Sequence, residues 1–117
     1  MKNSMKGLII KSPYIDFILE GKKKWEIRGS KTNTRGTICL IKSGSKKIFG
    51  EVDIVDCIEI DLDSYNNHCI ELYGKTEKNL PYKRTYAWVL ENPKVYDIPK
   101  DYNHPLGAII WVNLDNI

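Results

Sequence analysis

The sequence predicts an α+β fold: a small mixed β-barrel of about five to six strands with two or so short flanking helices. Three observations carry this expectation. The chain has 117 residues, enough for one domain with a modest core, so residues 1–117 are read as a single unit. Apolar runs of strand length recur along it with hairpin-scale connections, and only two stretches carry helix start and stop signals. A doubly wound parallel sheet would need a crossover helix between most strands, and the sequence does not supply them.

The first run, "GLIIKS" (7–12), reads as a strand buried on both faces. "SPYIDFILEGK" then reads as a short helix, with Ser12 as its cap, Pro13 at the first helical position and Gly21 as its stop. Tyr14, Phe17 and Ile18 fall at helical spacing and are expected to face the core. "KWEIR" alternates, which predicts a strand with Trp25 and Ile27 inward and Lys24, Glu26 and Arg28 outward. The polar stretch 29–36 is a turn region before a buried strand, "TICLIKSG" (37–44).

A tight turn leads into "IFGEVDIVDCIEI" (48–60), where Gly50 marks a bulge or a close backbone approach. "DLDSYNNHCIELYG" (61–74) has an aspartate cap, Asp61 or Asp63, and a glycine stop, so it predicts the second helix. "TYAWVL" predicts a strand ending near Leu90 because Asn92-Pro93 follows, and "HPLGAIIWVNL" predicts a last apolar strand.

Composition narrows the function classes. No apolar run approaches the ~18 residues of a membrane span. The first residues lack the apolar core of a signal peptide, so a cytoplasmic location is expected. The three cysteines are scattered, with no C-x-x-C pair, and no zinc spacing emerges, so neither a disulfide framework nor a metal or other cofactor is expected. Net charge is only +3, but residues 1–50 hold 12 of the 18 Lys+Arg side chains and only three carboxylates. A positive field on that half suits phosphate, although lysine-rich coding bias alone would also produce it.

Several segments together resemble the ASCH family. "LIIKSPYIDFILEGKKKWEIRG" is similar to its opening, a helix followed by a G-x-K-x-x-E-x-R stretch that falls here on Gly21, Lys23, Glu26 and Arg28. "IKSGS", "GEVDIVDC", "YAWVLENPKVY" and "HPLGAIIWV" look like its later elements, so the resemblance spans residues 7–114. It implies a PUA-like barrel and a role with RNA, another nucleic acid or a modified nucleotide, bound in a basic cleft between barrel and helix.

Within that cleft Lys11, Lys23 and Arg28 are candidates for phosphate or a base edge, and Glu26 for a hydrogen-bond donor such as an exocyclic amine. Lys42 and Ser43 end a strand at the same rim, and a Ser-Gly-Ser turn offers amides and hydroxyls to phosphate. Tyr86 and Trp88 share a strand face and are candidates for stacking, with core packing as the alternative. His104 precedes the last strand and is a candidate acid, base or base-edge contact. The alternative function is an enzyme on nucleosides or RNA, an acylated-cytidine amidohydrolase or a ribonuclease, with Lys23 and Glu26 as the catalytic pair. Amidohydrolases of ASCH type place a threonine where this sequence has Glu26. Their catalytic glutamate has no motif-anchored match here, Glu71 and Glu77 being the nearby carboxylates.

Overall fold

A computed structural model describes residues 5–114. The elements run β1 (Lys6–Ile10), α1 (Tyr14–Leu19), β2 (Trp25–Arg28), β3 (Gly36–Lys42), β4 (Lys47–Ile60), α2 (Leu62–Tyr73), β5 (Thr85–Asp101) and β6 (Trp111–Asn113). The strands form one curled six-stranded sheet in the order β2-β5-β4-β3-β1-β6. Among the described residues only β1 and β3 pair in parallel, and α1 and β2 lie between them in sequence. This is the mixed, barrel-like α+β architecture that the strand and helix signals predict.

Alternation builds the interior. Leu8 and Ile10, Ile38 and Leu40, Val52 and Ile54, and Tyr86, Trp88 and Leu90 all turn to the concave side and are buried. The strands at the two ends of the sheet approach across this core. Trp88 of β5 stacks on Trp111 of β6, with ring centroids 5.8 Å apart, and Arg28 Nη2 of β2 donates to Ile9 O of β1 at 3.1 Å. A smaller cluster on the convex side joins Cys39, Ile41, Ile48 and Val112 beneath Tyr96, Tyr102 and Ala108.

Four local expectations are corrected. Ser12 does not cap α1; Pro13 holds that position, and the Ser12 hydroxyl donates to Asp16 Oδ2 at 2.6 Å instead. In α1 the buried residues are Ile15 and Ile18, while Tyr14 is exposed and Phe17 half-buried, because the helix rolls its aromatic edge toward Tyr73 of α2. The strand containing Leu90 does not end at Asn92-Pro93. Both residues are left out of the pairing between β4 and β5, which a bulge permits, and Asn92 adopts φ 56° while its amide donates to Asp53. The last strand is three residues, with 104–110 forming a loop.

Other signals match. Asp61 caps α2 by accepting from Ser64 N at 2.9 Å, and Gly74 ends it in the left-handed conformation. At Gly50 a Cβ would stand 2.3 Å from Lys94 O and 2.6 Å from Leu19 Cδ2, so β5 and α1 approach as closely as they do because no side chain intervenes. No helix among the described residues is long and apolar enough to cross a membrane.

Candidate functional site

The site begins at the end of α1. The amides of Lys22 and Lys23 both donate to Phe17 O, at 2.9 and 3.0 Å, and Gly21 supports that reversal at φ 81°. The sharp turn leaves Lys22 and Lys24 in solvent and drives Lys23 inward, where it is 5% exposed.

β2 then pairs with β5 in antiparallel register, Glu26 opposite Trp88 and Arg28 opposite Tyr86. Residues directly opposite share a face of the sheet. Since Trp88 and Tyr86 belong to the core, Glu26 and Arg28 must face inward as well. The alternation expected for β2 is present with the opposite sense. Glu26 is 7% exposed, while Trp25 and Ile27 are half-buried on the other face. Trp25 stacks on His68 of α2, with centroids 5.4 Å apart and planes 18° from parallel.

Lys11, Lys23, Glu26 and Arg28 line one cavity of about 410 Å³ between the sheet and α2, together with Ser43. Its other walls are aromatic and aliphatic, among them Tyr14, Tyr65, Tyr73 and Tyr82 with Ile10 and Ile109. Arg28 Nε donates to Glu26 Oε2 at 2.7 Å, and its guanidinium lies 5.6 Å from the centre of the Trp88 ring. Trp88 is fixed in turn by donating from Nε1 to Ser30 O at 3.0 Å. Among the described residues Oε1 of Glu26 has no hydrogen-bond partner and remains available to the cavity.

Lys23 Nζ lies 3.3 Å from His68 Nε2 and 5.8 Å from the centre of the Tyr14 ring. Burial lowers its pKa from the ordinary 10.5; Glu26 opposes that shift and Arg28 adds to it. The same burial, with the Lys23 charge beside it, pushes His68 down to about 4. His68 is therefore neutral near pH 7 and accepts from the lysine. Burial also pushes the Tyr73 phenol up to about 12 and raises that of Tyr65, so both present neutral hydroxyls.

The remaining sequence candidates lie elsewhere. Tyr86 and Trp88 are buried core residues outside the cavity lining, Trp88 acting as the floor under Arg28. Lys42 is outside it too, held 3.5 Å from Asp16 Oδ1 and over the Phe49 ring. His104 is closed into the 102–108 loop, where Tyr102 Oη meets Nδ1 at 2.6 Å and Ala108 O lies 2.9 Å from Nε2. Among the described residues no three His, Cys, Asp or Glu side chains gather as a metal site would require.

The architecture and the motif meet in one comparison: the ASCH domain model matches residues 8–100 of the sequence. The chain belongs to the ASCH family. The crystal structure of ASCH from Zymomonas mobilis superposes with a TM-score of 0.70 at 12% identity, covering 96% of this chain and 88% of that one. Two mutant forms of the Zymomonas mobilis protein give a TM-score of 0.64 at 13% identity, again over 96% of this chain. At such identity the likeness is one of fold. No curated protein matches the sequence.

Sequence reasoning missed the wall that α2 gives this ASCH domain. Tyr65, Cys69 and Tyr73 recur at intervals of four, with His68 beside them, which is the signature of one helix face. The periodicity marks a packed face, but what it packs on is set by the β4–α2 and α2–β5 connections. Tyr14, expected in the core, is a cavity wall as well.

Proposed function

We propose that this ASCH domain binds a single nucleotide, free, modified or as an unpaired residue of RNA, with the base in the cavity and the phosphate at its rim. The observation that carries the reading is the convergence of Lys23, Glu26 and Arg28 on one cavity between the sheet and α2 rather than on a flat strand face. A volume of about 410 Å³ suits a small ligand better than a track for a continuous strand. Tyrosine walls favour a planar ring. Glu26 Oε1 offers an acceptor to an exocyclic amine or ring N–H, and Lys23 a donor to a carbonyl or ring nitrogen beside it. At the mouth, Lys11 and Ser43 offer a cation and a hydroxyl for phosphate.

Calorimetric titration with cytidine monophosphate, uridine monophosphate and a short single-stranded RNA, each at two salt concentrations, tests this. Glu26→Gln is expected to weaken the preferred ligand about ten- to a hundredfold by removing a charge-assisted hydrogen bond. Lys11→Ala is expected to reduce the salt slope by about one, because it takes away one cation that neutralises phosphate. Binding that ignored salt and both substitutions would overturn the reading.

A second reading, an amidohydrolase or ribonuclease, is favoured by the desolvated amine of Lys23 in the same cavity as the Glu26 carboxylate. Glu26 stands where ASCH amidohydrolases place their threonine, so water would be the nucleophile. Incubation with acylated cytidine and with RNA decides it: turnover that disappears in Lys23→Ala supports the enzyme, and no turnover of either substrate removes it.

A further inference from the structure

Lys23 is a buried amine without an ionic partner. Among the described residues no carboxylate oxygen lies within 4.0 Å of its Nζ, although Glu26 faces the same cavity. The reason is competition. Arg28, two residues beyond Glu26 on the same strand face, takes the carboxylate through Nε at 2.7 Å and is itself anchored to Ile9 O and the Trp88 ring. Lys23 is left with a neutral imidazole nitrogen at 3.3 Å and the face of Tyr14. Burial strips hydration from the ammonium, and the Glu26 charge, engaged by Arg28, offsets that loss only in part, so the pKa of Lys23 is lowered and its neutral form is easier to reach. A lysine in its neutral form is a nucleophile.

We infer that Lys23 forms a reversible imine with an aldehyde or ketone group of a ligand entering the cavity. Nζ attacks the carbonyl carbon and an N–C bond forms as the C–O π electrons move to oxygen. One N–H proton passes to that oxygen, giving the carbinolamine. The nitrogen lone pair then forms C=N as the C–O bond breaks, and the second N–H proton leaves with the hydroxyl as water. Both protons and the oxygen are accounted for, with no oxidant or reductant. His68 Nε2, within 3.3 Å of Nζ, is placed to ferry them. The tyrosine walls select a carbonyl carried on or beside a planar ring. The inference rests on the cavity and the Arg28–Glu26 pair, and it holds for an aromatic aldehyde whether or not nucleotides bind.

The test treats the protein at pH 7 with benzaldehyde and cyanoborohydride, which reduces the imine in place, and maps the modified lysines by peptide mass spectrometry. Lys23 is expected to be modified several-fold faster than its exposed neighbours Lys22 and Lys24, because burial lowers its pKa and His68 stands beside its amine. Arg28→Gln frees Glu26 to pair with Lys23 and is expected to slow the labelling. Glu26→Gln removes the countercharge and is expected not to slow it. Lys23 labelling no faster than Lys22 or Lys24, or equal slowing in both variants, would overturn the inference. Cytidine monophosphate added as competitor separates this from the nucleotide reading. Labelling that it leaves untouched keeps the imine and removes the shared site; calorimetric binding of the nucleotide without any Lys23 labelling does the reverse.

Discussion

Two arginine–glutamate pairs sit on this sheet, and they have little in common beyond their chemistry. Arg84 and Glu59 meet at the surface, with Nη2 to Oε1 at 2.9 Å and Nε to Oε2 at 3.3 Å. Their side chains are 65% and 47% exposed. Arg28 and Glu26 share one bond of 2.7 Å, but their side chains are 20% and 9% exposed. By bonding geometry the surface pair is the better fork. By environment the inner pair matters more, because both charges there are largely withdrawn from water. A surface pair holds two side chains together; the inner one decides which cation in a cavity keeps the carboxylate and which goes without.

The sharpest way to break that contrast is to remove one partner from each pair. Glu26→Ala leaves the largely buried Arg28 guanidinium without its counter-ion, though still held by Ile9 O and the Trp88 ring, and is expected to cost about 1–3 kcal/mol in urea denaturation. Glu59→Ala is the control. That glutamate lies in solvent, and the thermal midpoint of the variant is expected to match the parent within error. Equal losses from both variants would mean that burial does not separate the pairs.

Acid probes the inner region in another way. His68 titrates at about 4 in the fold against an ordinary 6.5, so the unfolded chain binds its proton first. Its contribution is complete above the ordinary value and is lost as pH falls from about 6.5 toward 4. Allowing for the ring's partial exposure, the loss is on the order of 1–2 kcal/mol. His68→Phe keeps an aromatic ring against Trp25 and is expected to abolish that portion of the acid dependence. Parallel stability–pH curves for the two proteins would contradict the placement of His68 beside Lys23.

The smallest expected effect is at the mouth. Lys11→Ala removes an exposed cation that pairs with no carboxylate among the described residues. It should leave stability within about 0.5 kcal/mol of the parent while lowering nucleotide affinity at low salt. A large stability loss would give Lys11 a structural role instead.

The sequence made the framework legible where one residue dictates one geometry. Gly50 announced the close approach of β5, Asp61 and Gly74 the limits of α2, and Gly21 the corner that aims Lys23. It failed where the answer depends on a partner distant in sequence. "KWEIR" alternates equally well with either face inward, and counting charges turned Lys24, Glu26 and Arg28 outward. Only the register against Trp88 and Tyr86, far along the chain, reverses that sense for Glu26 and Arg28. The two histidines show the same limit. His104 stood next to an apolar strand and drew attention, yet both ring nitrogens close a loop; His68 acquires its place beside Lys23 only where α2 folds over the cavity. Asn92-Pro93 read as a strand end because a bulge in β5 is invisible without β4.

On the reading proposed above, the face of β2 that turns into the cavity, not the charged surface, receives the ligand. Nitrogen-15 spectra recorded during titration with cytidine monophosphate test it most directly. Shifts are expected at the Trp25 indole, the His68 ring and the amides of Lys23, Glu26 and Tyr65, with His104 and Arg84 unmoved. Shifts confined to the 102–108 loop, or scattered over exposed lysines with none at Lys23 and His68, would contradict it.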